Sequence, residues 1–221
     1  MNFFDDLEKY SRNVAVITDG SKQISYKDLT ETADNIGKQI KSRSLVFLVC
    51  KNCFESVAAY IGLLQARTVQ ILIPHTIDNA LFANLLETYK PGYIFLPTEI
   101  SLSNYNFNIV DSFDSYTLFK TDYEIDYTLH EDLAVLLCTS GSTGSQKFVR
   151  QSYNNINCNA EAIAQYLEIS CADRPITTMP MSYTYTLSII NSHLLKGSSI
   201  ILTDATLMEK HFWDTLRGNN A

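Results

Sequence analysis

The 221-residue sequence predicts an α/β fold, a mostly parallel sheet with helices on both faces, on three observations. Four short runs, residues 44–50, 69–73, 93–96 and 133–138, are almost continuously apolar and rich in β-branched side chains, as strands buried on both faces must be. Stretches with apolar residues at helical spacing separate the first three, and such alternation is the pattern of βαβ units. Breakers stand where the elements change, at Asp19-Gly20, Pro74 and Pro91-Gly92. A hydrophobic content of 46% supplies a real core.

Taken in order, residues 14–18 form a strand that turns tightly at Asp19-Gly20. Ser25 and Asp28 have the spacing of a capping box, ahead of a helix with Leu29, Ala33, Ile36 and Ile40 on one face. After the strand at 44–50, Cys50 and Cys53 make a CxxC. A structural zinc wants about four ligands and no second Cys or His pair has matching spacing, so Cys50 is read as a strand end and Cys53 as a helix opening. Asn52 is the expected cap there, with Glu55 reaching back. The helix over 54–67 buries Val57, Ile61 and Leu64, and the strand at 69–73 follows. Residues 78–89 form a helix with Leu81 and Leu85 inward, ended by Pro91-Gly92 before the strand at 93–96.

Residues 98–131 are rich in Asn, Asp, Ser and Tyr, with one strand expected at 116–119. Asp122, Glu124 and Asp126 alternate as a solvated face would, and no metal site is assigned to them. Beyond residue 150, Ser152 caps a helix whose buried face is Ile156, Ala160, Ile163 and Leu167. A strand at 176–179 ends at Pro180, a helix stops at Gly197, and a strand at 199–203 follows. His193 falls on the apolar face of that helix and is read as structural. A last helix, 207–217, carries Phe212, Trp213 and Leu216.

Composition excludes several classes of function. A net charge of -7 and a pI near 5.0 leave no basic stripe for a nucleic acid, although a single nucleotide in a local pocket is compatible. No apolar run reaches the length of a membrane span, and the amino terminus is acidic where a signal peptide is basic, so a cytoplasmic location is expected. Five Cys, an odd number set mostly in or beside apolar segments, favour reduced thiols.

The chemistry points to residues 133–155, LAVLLCTSGSTGSQKFVRQSYNN. An apolar strand gives way to Thr139, Ser140, Gly141, Ser142, Thr143 and Gly144, and then to Lys147. Glycines let successive backbone N–H groups converge as an anion-binding nest, while hydroxyls and an ammonium add donors. The competing reading is a solvated turn, since Ser, Thr and Gly also cluster in loops. Walker spacing is absent, which disfavours a P-loop phosphotransferase. Residues 148–150 read as a second strand, so the loop joins two strands and does not feed a helix.

Thr139-Ser-Gly-Ser-Thr-Gly-Ser-Gln-Lys147, with Val149, Ser152 and Asn155, resembles the signature loop of the adenylate-forming ligases, the acyl-CoA synthetases and peptide-synthetase adenylation domains. The segments ISYKDLTETADNIG and AAYIGLLQA also resemble the start of that family. Gln146 departs from it, standing where the family usually has Pro, and this loosens the backbone without removing a donor. The resemblance implies that Thr139, Ser140, Gly141, Ser142, Thr143, Gly144 and Lys147 hold the outer phosphates of ATP. A carboxylate would attack the α-phosphorus, and coenzyme A or a carrier phosphopantetheine would take the acyl group. It also implies that Tyr183 stands near the acyl pocket, although Thr186 replaces a usual glycine.

The family's magnesium-placing, ribose-gripping and hinge motifs and its carboxy-terminal domain have no counterpart in these residues. The expectation is therefore that residues 1–221 are the amino-terminal portion of the large domain of such a ligase, a truncation or half of a split enzyme, working with the remaining part or a partner chain. No catalytic residue and no metal ligand is assigned within it. The alternative is a non-catalytic scaffold or partner module that retains the half-fold.

Overall fold

The structure, a computed structural model, describes residues 2–138 and 147–221. Seven strands form the main sheet. Four run parallel at its centre: β3 (Leu45–Cys50), β4 (Val69–Pro74), β5 (Tyr93–Pro97) and β8 (Leu133–Cys138). Antiparallel strands extend both edges, β7 (Tyr116–Lys120) and β6 (Asn108–Phe113) beyond β5, and β9 (Phe148–Ser152) beyond β8. The order is β6-β7-β5-β3-β4-β8-β9. A second, three-stranded sheet joins β1 (Val14–Ile17) to β2 (Gln23–Ser25) antiparallel and to β10 (Ile200–Ile201) parallel.

Every residue of β3 is buried because its side chains alternate between two cores. Val46, Leu48 and Cys50 face one, built with α1 (Tyr26–Gly37), α2 (Phe54–Gln65), α4 (Tyr153–Tyr166) and α5 (Thr184–Leu195). Leu45, Phe47 and Val49 face the other, under α3 (Asn79–Tyr89) and the aromatic side chains Tyr105, Phe107, Tyr123 and Tyr127. Helix α2 is sealed over most of its circumference, since residues 56–64 are all buried. Its Gly62 makes this possible: a Cβ there would lie 2.1 Å from the Ala33 carbonyl oxygen, so α1 and α2 touch backbone to backbone.

The capping box of Ser25 and Asp28 forms on α1 as expected, and Ser152 caps α4 as expected, with Asn155 completing a box that was not foreseen. Several details differ. On α3 the inward residues are Phe82, Leu85 and Leu86, with Leu81 only half-buried, because the stripe is anchored by Phe82 against Phe47 and continues to Tyr89 at helical spacing. On α4 the buried row is Ile156, Ala160 and Ala164. Leu167 is 59% exposed, and the chain reverses after it so that Ile169 fills the core. Asn52 is not a cap. Cys53 holds that position, while Asn52 donates its Nδ2 to the carbonyls of Met179 (3.1 Å) and Thr203 (2.9 Å).

Residues 176–179 form only a single bridge, Ile176 to Ile201, because Thr177 Oγ1 takes over the pairing with the Thr203 backbone. Strand β6, unforeseen in the polar segment, pairs with β7 through a turn at Asp114, whose φ is +50°. The last helix is α6 (Lys210–Gly218), with Phe212 buried and Trp213 half exposed.

Candidate functional site

Strands β8 and β9 make an antiparallel hairpin at the sheet edge. Cys138 pairs with Phe148, so the chain leaves and re-enters the sheet at one point. Residues 139–146 between them lie outside the described residues, and with them Thr139, Ser140, Gly141, Ser142, Thr143 and Gly144. Lys147 is exposed where the chain re-enters.

The far end of the hairpin is clamped. Arg43 Nη1 donates to the carbonyls of Leu133 (3.0 Å) and Arg67 (3.2 Å), and its Nη2 donates to the His130 carbonyl. Tyr153 Oη donates to the Thr68 carbonyl at 2.8 Å, and the Arg67 guanidinium lies 4.9 Å from the Tyr153 ring centroid. Charge-assisted bonds to carbonyls are the stronger kind, so strand, helix and guanidinium fix the end of the hairpin opposite Cys138 and Phe148. Phe148 adds an edge-to-face contact with Tyr89 at 5.2 Å.

Beside the hairpin, between β8, β9, α4 and α5, lies a cavity of about 790 Å³. Its polar wall includes Gln151, Asn155, Asn159, Thr184 and Ser188, and among the described residues no charged side chain lines it. At its base are Tyr60 and Asn191, which are buried. Burial pushes the Tyr60 hydroxyl up, well above the ordinary phenol range, with the facing Asn191 amide opposing the shift. The hydroxyl is therefore a neutral group at any working pH. Tyr183 is not on the cavity wall: it stands at the N-cap position of α5, half exposed, and its neighbour Tyr185 lines the cavity instead. Neither Tyr60 nor Asn191 is singled out by the sequence. The only signal is a polar residue on the inner side of an otherwise apolar helix.

A second cavity, about 830 Å³, opens between the β1–β2 turn and the β3–α2 corner. Asp19, Asp28, Glu55, Asp114 and Asp204 line it against a single Lys22, a balance that repels an anion. His193 has Nδ1 2.8 Å from the Ile189 carbonyl, and burial lowers its pKa, so it is a neutral structural ring. Among the described residues no group of three or more His, Cys, Asp or Glu could hold a metal ion, and Asp122, Glu124 and Asp126 are exposed. No described helix is long and apolar enough to cross a membrane.

Comparison with known proteins follows the same geometry. The family model described as AMP-binding enzyme matches residues 3–221. Gramicidin S synthase 2 of Brevibacillus brevis is 24% identical over 208 residues, which cover 90% of this chain and 5% of that protein. The 2-succinylbenzoate–CoA ligase of Staphylococcus epidermidis is 22% identical over 216 residues, covering 91% of this chain and 43% of the other. Among solved structures, o-succinylbenzoate coenzyme A synthetase from Bacillus subtilis, in complex with ATP and a magnesium ion, superposes with a TM-score of 0.78 at 18% identity. That match covers 99% of this chain and 60% of the other, so the chain spans less than two thirds of each of these relatives.

Proposed function

The chain belongs to the AMP-binding enzyme family, and from that premise we propose that it forms the amino-terminal, phosphate-holding portion of an ATP-dependent ligase. The reaction would activate a carboxylic acid as an acyl-adenylate and pass the acyl group to coenzyme A or a carrier pantetheine. The observation that carries this reading is the clamped β8–β9 hairpin, which borders a cavity of about 790 Å³ whose described wall is uncharged.

In this reading Lys147 and the hydroxyls of Thr139, Ser142 and Thr143 orient the β- and γ-phosphates, with Ser140, Gly141 and Gly144 contributing backbone donors. The acid would lie in the adjoining cavity, and Tyr183, off the cavity wall at the N-cap position of α5, would approach the acyl group only from outside that wall. Holding both reactants converts a bimolecular encounter into an oriented attack on the α-phosphorus. Mg²⁺, when bound, would neutralise phosphate charge, and the described residues offer no ligand set for it, so no step is assigned to it here.

Two measurements test the reading. Titration of the 221-residue chain with Mg-ATP should show weak binding that Lys147→Ala reduces at least about threefold, a modest value for an exposed charge-assisted contact; equal affinity would remove Lys147 from the site. Incubation with Mg-ATP, hydroxylamine and a panel of acids should give no pyrophosphate above background, because catalysis needs charge stabilisation from groups beyond these residues. Release of pyrophosphate would show these residues to be sufficient.

A partner-module reading is favoured by one observation: Leu207, Met208 and Trp213 are 51%, 94% and 42% exposed around the start of α6. Stable self-association by light scattering, together with no affinity for ATP, would favour it over the ligase reading.

A further inference from the structure

The β8–β9 hairpin changes step between its two ends. Leu133 pairs with Ser152, but Val135 pairs with Gln151 and the ladder then runs in register to Cys138 and Phe148, so a one-residue bulge separates the ends. The Arg43 bonds to the Leu133 and His130 carbonyls lie on the far side of that bulge. They fix the base of the hairpin and leave the register at its mouth to be decided locally. A slip of one residue there would turn Phe148 to the opposite face of the sheet and displace Lys147 with it.

One side chain from outside the hairpin meets that mouth. Tyr89, at the end of α3, has its ring centroid 5.2 Å from that of Phe148, edge to face, with an interplanar angle of 82°. Both rings pack with Leu136 against the core under α3, so Phe148 is drawn to that face. The Cys138 thiol is near enough to join burial in raising the Tyr89 hydroxyl above its ordinary range, so the same side chain neighbours both strands where they part.

The platform beneath Tyr89 is well tied. Lys90 closes α3 with a φ of +42° and its N–H on the Leu86 carbonyl at 2.9 Å, and its own carbonyl accepts from Tyr127 Oη at 2.9 Å. Gly92 N–H then donates to the Leu45 carbonyl at 2.9 Å, which joins the end of α3 to the central strand β3.

Resting on the reading of this chain as the phosphate-holding portion of a ligase, we propose that Tyr89 is a positioning residue for nucleotide binding. By holding Phe148 on the α3 face it sets the register at which the hairpin closes, and so places Lys147 for the phosphates. Tyr89 itself touches no phosphate. The contact is between rings, so phenylalanine should serve in its place and an aliphatic residue should not.

The test measures the Mg-ATP affinity of the 221-residue chain carrying Tyr89→Phe, Tyr89→Leu, Lys147→Ala, or Tyr89→Leu combined with Lys147→Ala, alongside backbone hydrogen exchange. Tyr89→Leu should weaken binding at least about threefold, and Tyr89→Phe should stay within about 1.5-fold of the parent. With Lys147→Ala already present, Tyr89→Leu should cost less than about 1.5-fold, because the ammonium it misplaces is gone. Without nucleotide, Tyr89→Leu should speed exchange at Phe148 and Val149 and leave Leu133 and Ser152, beyond the bulge, unchanged. Phe148→Leu removes the same contact from the other side, should reproduce both effects, and replaces Tyr89→Leu if that variant does not fold.

A Tyr89→Leu chain that binds like the parent overturns the proposal. So does an equal loss with and without Lys147, an equal loss in Tyr89→Phe, or faster exchange along the whole hairpin. In each of these cases a loss on Lys147→Ala alone leaves the ligase reading standing. If the parent itself does not bind Mg-ATP, the ligase reading fails, and faster exchange at Phe148 then marks Tyr89 as packing only, so both claims fall.

Discussion

Replacing Gly62 by alanine tests the packing that places Tyr60 at the cavity base. The new Cβ would sit 2.1 Å from the Ala33 carbonyl oxygen and 2.8 Å from its carbon, distances that real Cβ atoms do not show. The obstacle is backbone on the neighbouring helix and cannot swing aside, so α1 and α2 must part by about 1 Å to restore ordinary contact. Overpacking of a rigid site costs roughly 3 kcal/mol at the upper end, while Gly→Ala inside a helix returns about 1 kcal/mol of propensity. The net loss of about 2 kcal/mol translates into a fall of about 4–8 °C in Tm for a chain of this length. Gly20→Ala is the control, since nothing lies within 4 Å of its added Cβ and its φ is not positive; it should stay within about 0.5 kcal/mol of the parent. Thermal unfolding followed by circular dichroism at helix wavelengths decides the matter. A Gly62→Ala protein as stable as the parent would mean that the α1–α2 contact is looser than described, and with it the placement of Tyr60.

Two further outcomes follow from burial. His193 has a folded-state pKa held below its ordinary 6.5 by burial, with the Ile189 carbonyl and Asp173 opposing, so the unfolded chain binds more protons below that value. Its contribution is therefore complete above about pH 6.5 and erodes as pH falls from there through the folded pKa; His193→Gln should flatten the urea midpoint between about pH 7.5 and about pH 5.5, and an unchanged slope would place the effect elsewhere. For the thiols, burial pushes Cys50 far up and Cys53 up to about 11, whereas Cys158 and Cys171 are exposed. Iodoacetamide near neutral pH should label Cys158 and Cys171 in the folded protein and reach Cys50 only after denaturation, as mass spectrometry of the native digest would reveal.

The parallel centre of the fold was legible because strands buried on both faces must be apolar at every position, and short runs such as residues 45–50 and 69–73, bounded by polar residues or breakers, fit little else. The capping box at Ser25 and the cap at Ser152 were legible because a side-chain bond to the first turn depends only on local spacing. What escaped depended on distant partners. Strand β6, NIVDSF, alternates weakly and stays largely exposed, and its existence is decided by pairing with β7. Asn52 has the residue type of a cap, yet the nearness of Met179 and Thr203, more than a hundred positions away, recruits it as a cross-link. At the candidate site, the loop composition suggests anion chemistry from residue types alone, whereas Tyr60 and Asn191 meet only through the packing of α2 and α5, which no local pattern encodes.

If the loop holds a phosphate as proposed, the hairpin geometry limits which physical term can do so. Helix α4 begins at the far end of β9, about 16 Å along the strand from Lys147. Two of its first-turn donors are already engaged, Asn155 N–H with Ser152 Oγ at 3.1 Å and Tyr153 N–H with the Asp132 carbonyl at 3.1 Å. A macrodipole weakens within a single turn, so α4 offers nothing to an anion at the loop. In the proposed reading attraction comes from backbone donors, from the hydroxyls of Thr139, Ser142 and Thr143, and from Lys147, the cation within the loop segment, and an exposed ammonium acts through a field that salt screens. Raising ionic strength from about 0.05 M to about 0.5 M should therefore weaken Mg-ATP binding to the parent chain severalfold and barely affect Lys147→Ala. If both proteins respond to salt alike, the ammonium is not what the phosphates feel, and the grip belongs to the backbone and hydroxyl donors.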